Sequence, residues 1–202
     1  MVPDGDPLPA GSMLQPAELE KLEALQEHLA GCARQFGLEA RRAGMLALAA
    51  FQAQHGDYAA AQAALDRAKK LKSGHVLMTL LQTDVYLGQN KLDEALSGIR
   101  SAAAVMPESR ALNYKYAEAL IRNQQPAQAQ SAVQPFLRNN PRDVNGWRLM
   151  QQAANADSAS PLRAVNVLRY RAEVEFWSGY EENAIKSLLH AQRLAKENKS
   201  LL

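Results

Sequence analysis

The strongest constraint in this sequence is a period of about 34 residues that recurs along the chain. Ala61, Ala95 and Ala129 follow one another at this interval, and Pro107 and Pro141 are separated by the same interval. A bulky apolar residue follows each alanine four places later: Leu65, Ile99 and Val133. A fixed period of roughly 20–50 residues is typical of chains that stack similar supersecondary units. We therefore expect an array of repeats.

Each unit is predicted to be a pair of antiparallel helices, A and B. The alanine early in helix B lets two backbones approach, and the bulky residue four places later lies on the same helical face. The proline after helix B ends that helix. Alanine, the best helix former, is prominent in this chain. These positions and the period resemble the tetratricopeptide repeat, which implies an all-α superhelix whose A helices line a concave groove.

The fourth repeat is expected to be interrupted. A further match, with Ala184 at the alanine position and Leu188 at the bulky position, follows Ala129 after more than one period but less than two. The stretch Asn155–Pro161 is typical of a loop. We expect Val144–Ala154 to form a single or shortened helix that breaks the regular stacking. The predicted units are 42–75, 76–109, 110–143, an irregular segment 144–164, and 165–198.

The repeats are assigned to a single domain over residues 16–202. Residues 16–36 are predicted to form a helix, because four leucines lie on one face at helical spacing: Leu19, Leu22, Leu25 and Leu29. Residues 1–15 are rich in Pro, Gly and Asp and lack the pattern of a secretory signal. We expect them to be a disordered leader or a cloning remnant. Turns are predicted near His55–Asp57, Gly88–Lys91, Asn123–Gln125 and Ser178–Tyr180.

From Gly56 onward the chain is similar to the C-terminal repeat domain of BepA-like periplasmic zinc metalloproteases, the β-barrel assembly-enhancing protease family. The segments that carry this resemblance are Asn113–Leu120, Pro141–Leu149, Arg171–Ile185 and Ala191–Lys196. The resemblance implies a periplasmic module that recruits substrates or outer-membrane β-barrel assembly partners, and that contacts its own protease domain. The alternative is a free-standing adaptor that binds a peptide or protein in the bacterial cytoplasm or envelope.

No catalytic or metal centre is predicted within these residues. Metalloproteases of that family carry His-Glu-x-x-His, but no two of the four histidines here are four residues apart: His28, His55, His75 and His190. His28 and Cys32 are two potential ligands without a third, so we expect no metal and no cofactor. With 23 basic and 21 acidic residues, the charge balance does not indicate nucleic-acid binding. No apolar run is long enough for membrane insertion.

The candidate binding residues are groove positions that combine aromatic, basic and acidic side chains. They are Tyr114, Glu118, Arg122, Arg148, Arg169, Tyr170 and Glu173. Aromatic area together with guanidinium donors suits an extended peptide or a protein surface. The interruption is expected to bring Arg148, Arg169 and Tyr170 close to Tyr114 and Glu118. The competing interpretation is that these arginines form internal ion pairs that hold the superhelix together.

Overall fold

The computed structural model describes residues 37–71 and 74–197 of the chain. Within these ranges all regular secondary structure is α-helical. The helices are α1 (37–54), α2 (Tyr58–Leu71), α3 (Val76–Gly88), α4 (Leu92–Val105), α5 (Arg110–Arg122), α6 (Pro126–Asn139), α7 (Val144–Ala156), α8 (Arg163–Trp177) and α9 (Glu181–Glu197). The all-α prediction is confirmed. The predicted leader, the helix at 16–36 and the His28–Cys32 pair lie outside the described residues.

The four predicted turns are confirmed, and they share one backbone geometry. Gly56, Asn90 and Gln124, which follow one another at the repeat period, have φ of 79°, 59° and 55°, and Gly179 has φ of 86°. At each turn the amide after the left-handed residue donates to the carbonyl five residues earlier, as Lys91 does to Tyr86 at 2.8 Å. This is the Schellman motif, which satisfies the last carbonyls of a helix. The repeat period therefore marks the end of each A helix.

The small and bulky positions of the repeat lie in the core, as the sequence predicts. Three alanines and the bulky residues that follow them are buried: Ala61, Ala95, Ala129, Leu65, Ile99 and Val133. The last unit differs, because Ala184 is buried whereas Leu188 is half exposed. Leu188 therefore occupies the bulky position of the repeat without being buried, since α9 packs only against α8 in the described part of the chain.

The A helices stack side by side to form one wall. Helix α3 packs against α5, and α5 packs against α7. The expected single helix over Val144–Ala154 is present as α7. It is not shortened, because it has 13 residues as α3 and α5 do, and it does not break the stacking, because it packs against α5. The departure comes after α7: among the described residues, α9 contacts α8 but does not reach α7. The fourth repeat is thus interrupted after α7, because within the described ranges α9 packs against α8 and not against the A helix α7.

Candidate protein-binding groove

The wall of A helices lines an open cavity of about 600 Å³. Its lining follows the repeat period in three rows. The rows are Ala50, Asp84, Glu118 and Gln152; Ala53, Leu87 and Ile121; and Gln54, Gly88 and Arg122. Successive members of each row are one repeat period apart and come from α1, α3, α5 and, in the first row, α7. Equivalent positions of successive units therefore form one continuous surface.

A close backbone contact shapes one side of this groove. The ring of Tyr58, at the start of α2, lies against the backbone of Gly88, where a Cβ atom would overlap the ring. The side-chain amide of Gln89 donates to the Tyr58 carbonyl at 3.3 Å. Because any larger residue at position 88 would displace the ring, the missing side chain of Gly88 lets Tyr58 line the cavity.

An ion-pair cluster joins α3 and α5 beside the cavity. Lys115 Nζ lies 2.7 Å from Asp84 Oδ1 and 2.6 Å from Glu118 Oε2. Burial opposes the charge of Lys115, but hydrogen bonds to both carboxylates and their negative charges outweigh it and hold the pKa of Lys115 above its ordinary value. Lys115 therefore remains protonated and offsets part of the negative charge that Asp84 and Glu118 bring to the groove.

Arg122 supplies positive charge on the same wall. Its side chain is exposed and lines the cavity, and one guanidinium nitrogen donates to the Leu87 carbonyl at 3.4 Å. Among the described residues that line the cavity, Arg122 is the one cationic side chain. A guanidinium suits carbonyl and carboxylate groups because its donors form a planar fork.

Tyr114 lies at a helix junction instead of in the cavity lining. Its hydroxyl donates to Asp143 Oδ2 at 3.0 Å, and its ring meets Phe136 edge to face at 5.7 Å. Burial, the hydrogen bond to Asp143 and the charge of Asp143 raise the pKa of Tyr114 well above its ordinary value, against the opposing charge of Arg110. These contacts tie α5 to the start of α7.

Tyr170 and its neighbours form a second group, between α7 and α8. The Tyr170 ring stacks on Trp147 at 6.0 Å, and the Arg169 guanidinium lies 5.6 Å from the same tyrosine ring. Glu173 accepts a hydrogen bond from Trp177 Nε1 at 3.2 Å. Arg148 is exposed and makes no hydrogen bond or ion pair with another described residue.

The predicted binding residues thus occupy separate places. Glu118 and Arg122 line the cavity, whereas Tyr114 belongs to the α5–α7 junction, and Arg169, Tyr170 and Glu173 belong to α8. Within the described chain no hydrogen bond, ion pair or ring contact joins Arg148, Arg169 or Tyr170 to Tyr114 or Glu118, and the expected convergence stays a prediction. Their role in partner binding stays a prediction.

The internal ion pairs also involve other residues than those expected. Arg110 pairs with Asp143 at 2.8 Å, and Arg171 pairs with Glu175 at 2.7 Å.

The sequence analysis did not predict the cavity residue Gln152, although Gln152 lies one repeat period after Glu118. The signal was present, but interpreting Val144–Ala154 as irregular removed this helix from the register.

Comparison with known proteins agrees with the groove geometry. Residues 86–153, which run from α3 into α7, match the sequence family described as tetratricopeptide repeat. This part of the chain carries tetratricopeptide repeats. The repeats form a non-catalytic domain. The match extends through most of α7, which agrees with the packing of α7 against α5.

The repeat region is similar to that of β-barrel assembly-enhancing proteases. The protein of that name from Escherichia coli K12 is 36% identical over 76 residues, which are 38% of this chain and 15% of the relative. The protein from Yersinia pestis is 32% identical over 80 residues, 40% of this chain and 16% of the relative. The similarity thus spans less than a fifth of each relative. Among the described helices of this chain, none is long and apolar enough to cross a membrane.

Proposed function

We propose that this chain binds an extended segment of a partner protein in the groove of its A helices, as the repeat module of a protein resembling β-barrel assembly-enhancing proteases. In this role it recruits substrates or outer-membrane β-barrel assembly partners in the periplasm. The coarser function, a protein-interaction repeat module, follows from the tetratricopeptide repeats themselves.

The observation that carries the proposal is the set of three rows lining the cavity of about 600 Å³. The row of Ala53, Leu87 and Ile121 is apolar and suits the side chains of an extended segment. Gln54 and Gln152 offer amide groups that both donate and accept hydrogen bonds, as the backbone of an extended peptide requires. A mostly apolar cavity with a few polar groups is the usual form of a binding site.

The charges of the groove favour a partner segment of mixed character. Asp84 and Glu118 are partly neutralised by Lys115, and Arg122 presents free guanidinium donors. Because the groove has no strong excess of one sign, it does not select a highly charged segment. A segment that forms a strand of a β-barrel alternates apolar and polar side chains along its sequence. This alternation matches an apolar row flanked by amide and charged rows.

Site-specific photo-crosslinking tests the proposal. The photoreactive residue benzoylphenylalanine replaces Gln54 or Gln152 in the groove, or the exposed Gln128 of α6 as a control. The probe is an unfolded outer-membrane β-barrel polypeptide diluted from urea. We expect crosslinks from the two groove positions but not from position 128, and fewer crosslinks when Arg122→Glu is added.

Equal crosslinking at position 128, or none at all, would contradict groove binding. An unrelated unfolded polypeptide of similar length serves as a second probe. If it crosslinks at Gln54 and Gln152 as strongly as the β-barrel polypeptide does, the groove binds peptides without selecting β-barrel proteins. That result would support the free-standing adaptor.

A further inference from the structure

Helix α9 carries an apolar stripe that no other described helix covers. Ile185, Leu188 and Leu189 are 57%, 50% and 60% exposed. An adjacent face of α9 is buried against α8 through Ala184, Ser187 and Ala191. An uncovered apolar stripe on a helix promotes association. The stripe on α9 therefore calls for an occupant.

The charges at the two ends of this stripe are opposite in sign. At about 100° per residue, Glu181 and Lys196 lie on the same face as the three apolar residues, one at each end of α9. Both side chains are exposed, and neither forms an ion pair with another described residue. The stripe is thus acidic at its start, apolar in its middle and basic at its end.

We propose that a second copy of this chain covers the stripe, with the two α9 helices packed antiparallel about a two-fold axis between Leu188 and Leu189. In this register each Leu188 meets the partner's Leu189, and Glu181 at one end lies opposite the partner's Lys196. Both pairs occur twice, because a two-fold interface presents the same patch from each copy. The stripe is its own complement only in this direction, since parallel helices would place like charges opposite each other.

The surface beside the stripe has space for the partner's side chains. A shallow depression of about 330 Å³ towards the end of α9 is lined by Leu189, Gln192, Arg193, Lys196 and Glu197. In the antiparallel register this depression lies opposite the first turn of the partner's α9, which carries Glu181 and Glu182. At each end of the interface the partner's two carboxylates would meet two basic side chains, Arg193 and Lys196, beside one acidic side chain, Glu197.

Sedimentation equilibrium of the full 202-residue chain tests the dimer over a range of concentrations. We expect a monomer–dimer equilibrium that Leu188→Glu shifts to monomer, raising the dissociation constant on the order of a hundredfold because two leucines are unburied per dimer. Val105→Glu is the matched control, since Val105 is an exposed apolar residue on α4, and it should leave the equilibrium unchanged. Circular dichroism checks that both variants keep their helix content.

Charge reversal tests the antiparallel register. Glu181→Lys alone and Lys196→Glu alone should each weaken the dimer roughly tenfold, since each places like charges opposite each other twice. The double variant should restore wild-type association, because both pairs are then attractive again. A chain that stays monomeric at all concentrations, or a dimer that survives Leu188→Glu, overturns the proposal. The proposal is also overturned if the double variant does not recover wild-type association.

Discussion

Replacing Asp143 with alanine should destabilise the protein more than removing any ordinary helix cap. The Asp143 side chain is only 5% exposed and accepts four hydrogen bonds. Two come from the amides of Asn145 and Gly146 at the start of α7, at 3.1 and 3.3 Å. The others come from the Tyr114 hydroxyl at 3.0 Å and the Arg110 guanidinium at 2.8 Å. One carboxylate thus caps α7 and attaches it to α5.

The magnitude follows from these contacts. Loss of the cap costs about 1 kcal/mol. The half-buried Tyr114 hydroxyl loses its acceptor, at a further cost of about 1–1.5 kcal/mol. The Arg110 side chain is 59% exposed, so solvent screens its ion pair and its loss adds no more than about 0.5 kcal/mol. We expect Asp143→Ala to lower the free energy of unfolding by about 2–3 kcal/mol.

Asp57→Ala provides the matched control. Asp57 caps α2 by accepting the amide of Ala60 at 3.0 Å, but this bond is exposed, and no hydrogen bond or ion pair links the Asp57 side chain to a second helix among the described residues. Its loss should cost about 1 kcal/mol or less. Urea unfolding followed by circular dichroism measures both variants. Equal destabilisation by the two substitutions would refute the reasoning, because the contacts to α5 would then contribute nothing beyond the cap.

Five further substitutions test the packing and the ion pairs. Ala129→Leu should cost about 1–3 kcal/mol in urea unfolding because it overpacks a buried helix crossing, whereas Gln128→Leu on the exposed face should change stability by under about 0.5 kcal/mol. Gly98→Ala should stabilise α4 by about 0.5–1 kcal/mol, because no atom lies near the new methyl group. Gly88→Ala should instead lower the melting temperature, because its methyl group would overlap the ring of Tyr58. The pKa of Glu175 lies below its ordinary value; burial would raise it, but a serine hydrogen bond and an arginine outweigh that. The contribution of its carboxylate is therefore present at neutral pH and lost as the pH falls below about 4.5. In thermal melts the advantage of the wild type over Glu175→Gln should shrink over that range, and a constant difference would contradict this assignment.

The helices, their turns and the groove rows could be predicted from the sequence because each depends on spacing along the chain. Ala61, Ala95 and Ala129 mark the tight helix crossings, and Gly56, Asn90 and Gln124 end the A helices at the same interval. The same period places Asp84, Glu118 and Gln152 on one wall. A regular array repeats its contacts, so a position known in one unit locates its equivalent in the next.

Only the tertiary structure decided which side chains meet outside that period. The sequence does not show that Asp143 binds Tyr114, or that Tyr170 stacks on Trp147 instead of joining Tyr114, because these contacts depend on how α7 and α8 pack on their neighbours. Leu188 occupies the same repeat position as Val133, yet one is half exposed and the other is buried. Periodicity determines which face of a helix is apolar, but burial of that face requires another helix against it, and local spacing cannot specify that neighbour.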